Sequence, residues 1–442
     1  MEAQFTKKFT FKEFLKFVAP AVISMIFISL YTIIDGIFVS TLVGSDALAS
    51  INIILPIINI IFGVAIMMGT GGSAIVAIKL GKKKYDEANS SFSLIFVAAL
   101  IIGVVLTIIT LLFFDNICMF LGATENLLPY CISYGKIIAL FTPIFILKSM
   151  LEFFVRTDGD FNFSLFLSII GGVINIILDY VFIVTFDMGI SGAALATGLG
   201  VLVSMILGFW YFTSKKSTLK FVKPKFDFKL LSETMINGSS EMVTELSTGV
   251  TTLIFNILVL KYAGEDGVAA LTIILYAHFL LVSTYLGFAS GIAPLISYNY
   301  GCNNVSKLKE TFKYSKIFIL VSSIIIFISS MVFAPYIVGI FVSPESTVFS
   351  LALSGLKLFS IAFLFVGVNI FASGLFTAFS NGKISAVISF ARTFLFILIG
   401  VIILPTAFDL NGVWLTVPFA ELATVVLSLV FIKKYKSRYS FN

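Results

Sequence analysis

The chain has 442 residues, of which 59% are hydrophobic and only 12% are charged. Soluble globular proteins carry about 25% charged residues, so this composition excludes a soluble enzyme, a disordered scaffold and a secreted disulfide module. The 29 basic and 23 acidic residues give a net charge of +6. No run of basic and aromatic residues is long enough for a nucleic-acid groove. We therefore expect a multi-pass protein whose partner is the lipid bilayer, with no nucleic acid.

Apolar stretches separated by charged or turn-rich breaks predict twelve transmembrane helices, because a span needs about 20 mostly apolar residues. Strand alternation is absent, so the expected fold is an all-α polytopic bundle in which each span pairs its own backbone groups. The spans, numbered 1 to 12 in chain order, are predicted near residues 14–41, 48–78, 91–114, 128–155, 163–186, 191–213, 231–261, 268–299, 313–340, 350–379, 384–407 and 412–432.

The charges of the loops predict an orientation. Most of the Lys and Arg residues fall in alternate loops, and the loops between these are mainly acidic. The positive-inside rule then places both termini in the cytoplasm, in a protein of the cell membrane. The longest basic loop, at 214–230, divides six spans from six. We therefore expect an N-terminal lobe over 1–213, a cytoplasmic linker over 214–230 and a C-terminal lobe over 231–442.

The two halves of the sequence repeat each other at a spacing of about 220 residues. The segment VGSDALASINIIL at 43–55 aligns with AGEDGVAALTIIL at 263–275, and Gly81 aligns with Gly301. Because six spans is an even number, both halves enter the membrane in the same direction. The repeat therefore predicts two pseudo-symmetric six-helix lobes, related by an axis along the membrane normal, with a cavity between them.

Several polar residues interrupt the apolar spans of the first half, where a charged side chain costs about 2.5–3.5 kcal/mol. They carry oxygen ligands, and their positions in the spans predict one common depth. Na⁺ or a proton suits such a cluster better than softer metals. A buried hydrogen-bond network that holds the helices together is the alternative interpretation. For Asp35, Asn175, Asp179 and Thr197, the repeat places apolar residues at the corresponding second-half positions, which favours a functional role. The candidates are Asp35, Tyr134, Asn175, Asp179 and Thr197.

The second half carries a different polar set. One interpretation pairs Arg392 with a glutamate in a structural ion pair, and the other makes the carboxylates a surface for a cationic substrate. A hydrogen-bonded, buried imidazole is expected for the single histidine. The residues concerned are Glu241, Glu245, His278, Arg392 and Glu421.

Two further features lie in the first half. Lys148, Glu152 and Arg156 are spaced four residues apart at the inner end of span 4, which predicts a local ladder of ion pairs. Pro20 in span 1 and Pro143 in span 4 can bend their helices, because proline removes a backbone donor.

The chain resembles the multidrug and toxic compound extrusion (MATE) family along nearly its whole length. The resemblance lies in PAVISMIFISLYTIIDGIFVSTLVGSDALASINIILP at 20–56, GTGGSAIVAIKLGKKKYDEAN at 69–89 and GDFNFSLFLSIIGGVINIILD at 159–179. The first half is more similar to the DinF- or MepA-like bacterial branch than to the NorM branch. The resemblance implies a V-shaped bundle of two lobes that alternates between inward and outward states. Such proteins export lipophilic organic cations in exchange for H⁺ or Na⁺, with no other cofactor.

The resemblance also assigns roles to residues of this chain. It implies an ion or proton site, able to hold Na⁺, and a bending proline at Pro20. The second-lobe carboxylates used by some NorM-like members do not map cleanly, so Glu245 and Glu421 are candidates only. We expect a monomer that is not an enzyme. The alternative function, from the same broad superfamily, is a flippase for lipid-linked saccharides or lipids. The implied ion-site residues are Asp35, Asn175, Asp179, Thr197 and Tyr134.

Overall fold

The computed structural model describes residues 2–439, which form helices and connecting segments without any strand. Three helices continue into or contain a π-helical turn. The helices are α1 (Glu2–Thr6), α2 (Phe11–Phe38, then the π turn Val39–Val43), α3 (Ser45–Gly81), α4 (Tyr85–Phe120), α5 (Leu128–Thr157), α6 (Phe161–Asp179, then the π turn Tyr180–Thr185), α7 (Gly189–Thr213), α8 (Phe228–Gly301), α9 (Val305–Gly339), α10 (Thr347–Ser360), α11 (Phe363–Ala378), α12 (Gly382–Phe390, then the π turn Ala391–Leu395) and α13 (Phe396–Tyr435).

These helices account for twelve spans. Among the described residues, nine helical segments are long and apolar enough to cross a membrane, and α10 with α11, bent by 53°, makes a tenth span. Helix α8 is interrupted by non-helical backbone at Gly264. The segment from α12 to α13 is interrupted in the same way at Asp409. Each break divides two spans, so the predicted all-α bundle of twelve spans is confirmed.

The chain reverses direction at the Gly264 break. A Cβ atom on Gly238, before the break, would lie 2.0 Å from the Met67 carbonyl oxygen. A Cβ atom on Gly301, far beyond the break, would lie 2.2 Å from the carbonyl oxygen of Ile78. Because Met67 and Ile78 are on the same half of α3, the two ends of α8 must run back alongside each other.

The backbone confirms the internal repeat. Positive φ angles, which are rare outside glycine, mark equivalent turns in the two halves at offsets of 220 to 222 residues. In each half they close the connections between the first and second, second and third, fourth and fifth, and fifth and sixth spans. The pairs are Gly44 with Gly264, Lys83 with Asn303, Gly159 with Ser380, and Asp187 with Asp409.

The two lobes pack tightly at one end of the bundle. A Cβ atom on Gly81 would lie 2.1 Å from the Tyr298 carbonyl oxygen, and Gly301 makes the equivalent contact with Ile78. Only glycine permits this backbone approach. We call this end the basic end, because it carries the lysine-rich loops near 82–84 and 214–227. Opposite it, at Gly44 and Gly264, an added Cβ atom would meet nothing within 4 Å.

The amino-terminal segment crosses the basic end and contacts both lobes. The Phe5 ring is fully buried, and packs against Phe161 of the first lobe and Tyr298 of the second. The Asn299 side-chain amide donates to the Phe5 carbonyl at 3.0 Å. Farther along, Lys307 Nζ donates to the Lys7 carbonyl at 2.6 Å. Opening the lobes at this end would therefore require the segment to release one of them.

The linker between the lobes is held on the first lobe. The backbone N–H of Thr218 donates to the Asp158 carboxylate at 3.0 Å, and that of Lys220 donates to Asn89 Oδ1 at 2.9 Å. Burial raises the pKa of Asp158, although these hydrogen bonds act in the opposite direction. The linker is thus an attached element of the basic end.

Candidate ion and substrate sites

Asp35 and Asp179 lie in the last turns of regular helix in spans 1 and 5. A π-helical turn begins four residues after Asp35, at Val39, and another begins directly after Asp179, at Tyr180. π turns widen the backbone and are frequent at functional sites. Asp179 therefore adjoins a departure from regular helix geometry, and Asp35 lies one turn before another.

The structure brings all five first-lobe candidates together. Asp35 lies against the side chains of Asp179 and Asn175, and Asn175 Nδ2 donates to Thr197 Oγ1 at 3.3 Å. Tyr134 interacts with Thr197 and with both aspartates. Asp179 is 0% exposed, and Asn175 and Tyr134 are also buried. These five residues therefore form one cluster inside the first lobe.

The cluster contains more hydrogen-bond acceptors than donors. Four of its buried oxygens have no hydrogen-bond partner among the described residues: Asp35 Oδ1, Asn175 Oδ1 and both carboxylate oxygens of Asp179. Buried polar atoms are normally paired, and each unpaired one costs free energy. Two adjacent carboxylates also repel each other when both are charged. A proton or a small cation would relieve both penalties, so these oxygens fit the ion expected from the sequence.

The donor set also limits which cation fits. Among residues 2–439, no group of three or more His, Cys, Asp or Glu side chains is arranged to hold a metal ion. The cluster offers two carboxylates, one amide and two hydroxyls. Such oxygen ligands suit a hard cation such as Na⁺, or a proton, rather than a transition metal.

The second lobe contributes a residue that sequence reasoning missed. Tyr276 of span 8 lies within electrostatic range of Asp35, and its hydroxyl would lie 3.4 Å from a Cβ atom on Gly36. Asp35 therefore lies at the boundary between the lobes, with Asp179 in its own lobe and Tyr276 in the other. No spacing rule relates Tyr276 to Asp35, because the contact depends on how the lobes dock.

In the second lobe, Arg392 forms the ion pair that one interpretation predicted. Its Nε donates to Glu421 Oε1 at 2.7 Å, and the Asn369 side-chain amide donates to Glu421 Oε2 at 2.7 Å. Ser428 Oγ donates to Asn369 Oδ1 at 2.9 Å. Sequence reasoning did not identify Asn369 or Ser428. They complete the network, so both carboxylate oxygens of Glu421 are satisfied.

The two glutamates of span 7 are placed differently from Glu421. Glu241 and Glu245 are half-buried on one face of the helix, and they interact with each other. Glu241 is also within electrostatic range of Arg392. Neither makes an ion pair among the described residues, so both carboxylates remain able to receive a cation.

The expectation of a hydrogen-bonded His278 is wrong. The imidazole packs edge-on against Phe359, with ring centroids 5.1 Å apart, and stacks on Phe363 at 5.9 Å. Its Nε2 atom is buried, and no described residue gives it a hydrogen bond. Aromatic packing, rather than hydrogen bonding, holds this ring, and it is within electrostatic range of Arg392.

The group Lys148, Glu152 and Arg156 is more than a local ladder. Glu152 and Arg156 are buried, and Lys148 Nζ lies 2.6 Å from Glu152 Oε2. The cluster also reaches other spans, since Ser168 Oγ donates to Glu152 at 2.7 Å and Arg156 donates to Ser290 at 3.3 Å. The spacing was visible in the sequence, but the burial was not.

The two prolines lie within unbroken helices. Pro20 lies inside α2, which is helical from Phe11 to Phe38, and Pro143 lies inside α5. Helix α2 is therefore continuous through Pro20 in this conformation, and the bend at Pro20 stays a prediction for another conformation.

Comparison with known proteins identifies the family. The model of the MatE family matches the chain twice, over residues 20–181 and 242–402. The chain belongs to the MatE family. The two matches fall in the two halves of the MatE chain, in agreement with its internal repeat.

Named relatives and solved structures agree. The chain is 29% identical to the multidrug export protein MepA of Staphylococcus haemolyticus, covering 98% of this chain and 96% of the relative. It is 28% identical to MepA of Staphylococcus saprophyticus, with coverages of 93% and 89%.

The fold matches solved MATE structures. A MATE protein in complex with MaL6 superposes with a TM-score of 0.94 at 23% identity, covering 100% of this chain and 99% of the other. A multidrug resistance MATE family transporter in an outward-facing conformation gives 0.91 at 23% identity, covering 97% and 96%. This MatE protein is thus a twelve-helix, two-lobed membrane transporter, and its resemblance to the MepA-like branch is confirmed.

Proposed function

We propose that this MatE protein is a secondary antiporter, which exports lipophilic organic cations in exchange for H⁺ or Na⁺ by alternating access. The observation that carries the proposal is the group of unpaired acceptor oxygens on Asp35, Asn175 and Asp179. A cation bound there stabilises whichever conformation presents these oxygens together. Since a ligand shifts an equilibrium only through different affinities for the two states, this site can couple ion binding to lobe movement.

The packing of the lobes supports a conformation that is closed at the basic end. Gly81 and Gly301 bring the backbones of spans 2 and 8 into close contact there. If the basic end is cytoplasmic, as the positive-inside rule suggests, the closed side is the cytoplasmic side. We propose that the protein works as a monomer in the cell membrane, with both termini in the cytoplasm and with lobes over 1–213 and 231–442 joined by the linker 214–230.

The substrate class rests on the second lobe and on the relatives. The MepA relatives are named multidrug export proteins. In this chain, Glu241 and Glu245 form no ion pair among the described residues, so they can attract an organic cation. The alternative, a flippase for a pyrophosphate-linked lipid, needs unpaired cationic groups. Here the basic side chains within these spans instead lie beside glutamates, Lys148 and Arg156 beside Glu152 and Arg392 beside Glu421.

The experiment is dye efflux from proteoliposomes under an imposed Na⁺ gradient and, separately, under an imposed pH gradient. We expect at least one gradient to drive efflux in the wild type, and Asp35→Asn to abolish that driven efflux. The amide cannot exchange a proton and binds cations weakly, so coupling is lost while substrate contacts remain.

The matched control is Asp115→Asn. Asp115 is an exposed aspartate at the end of span 3, and its carboxylate pairs with Lys136 at 2.9 Å. This change should leave efflux at the wild-type rate. Gradient-driven efflux that persists in Asp35→Asn would overturn the proposal.

A further inference from the structure

The first lobe contains a second buried charged cluster on the basic-end side of Asp35 and Asp179. Glu152 is 4% exposed and is surrounded by Lys148 at 2.6 Å, Arg156 at 3.7 Å and Ser168 at 2.7 Å. The hydroxyl of Ser24, on span 1, donates to Ser168 at 2.5 Å. We call Lys148, Glu152 and Arg156 the inner charge cluster. It carries a net charge of +1.

Helix periodicity connects the inner charge cluster to the aspartates. On span 5, Ser168 precedes Asn175 by seven residues, which is two turns, and Asn175 precedes Asp179 by four. On span 1, Ser24 precedes Tyr31 by seven, and Tyr31 precedes Asp35 by four. Residues at these spacings share one helix face. Two polar stripes, each ~16 Å long, therefore run side by side between the two sites.

A small cavity lies between the stripes. It is formed where Gly171 and Gly172 leave no side chain, and it has room for about one water molecule. A Cβ atom on Gly172 would lie 2.6 Å from the Phe27 ring, and one on Gly171 would lie 2.4 Å from Ser204 Oγ. Both sites contribute to the wall of the cavity, which includes Tyr31, Lys148, Ser168, Asn175, Thr197 and Ser204.

The charged and titratable groups around this cavity can be named one by one. Tyr31 lies within electrostatic range of Asp35, Lys148 and Glu152. The side chains that spans 5 and 6 contribute to the wall, apart from the aspartate site itself, carry no charge. Arg156 extends away from the cavity to Ser290 of the second lobe. Asp158 lies outside the spans, against the linker.

The charges inside the lobe can therefore be counted. Within the described residues, two negative aspartates face an inner charge cluster of one negative and two positive side chains. The interior thus carries a net charge of −1. Burying uncompensated charge in a low-dielectric interior is costly, so one monovalent cation brings the interior to neutrality.

We propose that the inner charge cluster sets the cation stoichiometry of the first lobe at one H⁺ or Na⁺ per cycle, with Lys148 as the positioning residue. This inference rests on the proposed function, because it concerns the same aspartate site. Without Lys148 the interior would carry a net charge of −2, and two monovalent cations would be needed to neutralise it. Without the Glu152 charge the interior would be neutral and would bind its cation weakly.

The experiment measures cation binding to purified protein as the shift of melting temperature, first against pH at fixed Na⁺ and then against Na⁺ at fixed pH. The titration that shifts the melting temperature, against pH or against Na⁺, identifies the cation. Lys148→Met should move the midpoint to about tenfold lower cation concentration, the order of effect expected from one unit charge in a protein interior with an effective dielectric constant of about 20. Its binding curve should also steepen towards two cations.

Glu152→Gln should move the midpoint in the opposite direction, to about tenfold higher cation concentration. Loss of packing alone does not produce shifts of opposite sign from two neighbours, so either variant remains informative if the other fails to fold. Lys148→Arg should restore the wild-type midpoint. Lys136→Met, at an exposed lysine of the same lobe, should not change it.

Wild-type midpoints in Lys148→Met and Glu152→Gln, or shifts of the same sign in both, would overturn the inference. Asp35→Asn separates this failure from that of the proposed function. If wild-type protein binds the cation and Asp35→Asn does not, the aspartate site stands whatever Lys148 does. If Asp35→Asn binds the cation as wild type does, the proposed function itself is contradicted, together with the inference that depends on it.

Discussion

The two lobes share a backbone plan but differ in how they treat buried charge. In the first lobe, both oxygens of Asp179 and one of Asp35 find no hydrogen-bond partner in the part of the chain that the structure describes. In the second lobe, Glu421 is bound by Arg392 at 2.7 Å and by Asn369 at 2.7 Å. In both lobes one of these charged residues lies at a π turn. Asp179 directly precedes one such turn, and Arg392 lies within another.

The aspartate site of the first lobe therefore needs a bound cation, whereas Glu421 of the second lobe already has its counter-charge within the protein. Arg392 is a fixed cation that balances the charge of Glu421, so Glu421 does not require a bound mobile cation. Asp35 and Asp179 lack such a partner, and an external cation can take that place. We infer that duplication gave both lobes the same scaffold, and that the asymmetry of charge assigns ion coupling to the first lobe.

The largest expected effect is on transport in the first lobe. Asp179→Asn should reduce gradient-driven dye efflux to the level of empty vesicles, because it removes the exchangeable charge that faces Asp35. The folded protein should be as stable as wild type or more so, since carboxylate repulsion is also removed. Efflux and melting temperature measured on the same preparation test both statements. A variant that is inactive because it is unfolded would not support the account.

The next effect is on stability in the second lobe. Glu421→Gln leaves Arg392 buried beside a neutral partner and should lower the free energy of unfolding by about 3–5 kcal/mol, measured by thermal unfolding in detergent. The double change Arg392→Leu with Glu421→Leu should recover most of this loss, because apolar replacement of a buried pair is often neutral. The double variant should retain gradient-driven efflux. If it loses ion coupling while folded, the proposed division between lobes is wrong.

Where the lobes are symmetric, they should respond alike. Gly81→Val and Gly301→Val each place side-chain atoms against a backbone carbonyl of the other lobe, at Tyr298 and Ile78. Each should destabilise the conformation closed at the basic end by about 1–3 kcal/mol. Cysteine accessibility at the basic end should increase in both. A large effect in only one variant would show that the packing is less symmetric than the glycine contacts indicate.

The smallest effect is expected at the surface of the first lobe. Lys136→Met removes an ion pair whose two side chains are 39% and 54% exposed. Such pairs contribute about 0–1 kcal/mol, so melting temperature and efflux should both stay close to wild type. A marked loss of efflux would mean that charge anywhere in the lobe, and not only at the buried sites, controls transport.

Much of the first-lobe site could be predicted from the sequence. Asp35 and Asp179 stand out because charge is costly inside apolar spans, and Asn175 lies one turn from Asp179 on the same face. The internal repeat added a comparison within a single chain, since the equivalent second-half positions are apolar.

Other contacts depend on packing that no local pattern encodes. Tyr276 and Asn369 look like ordinary residues of spans 8 and 10 until the lobes and helices are assembled around Asp35 and Glu421. The burial of Glu152 was also hidden, because a position near the end of a predicted span falls within the error of its boundary.

The central claim is that Asp35 and Asp179 of the first lobe bind the coupling cation and that Glu421 of the second lobe does not. It is tested most directly by adding an organic cation to purified protein and measuring the H⁺ or Na⁺ that is released. Binding linkage is reciprocal, so the wild type should release the coupling cation when it binds the drug, as should Arg392→Leu/Glu421→Leu. Asp35→Asn/Asp179→Asn should release none. Equal release from the aspartate double variant and the wild type would contradict the account.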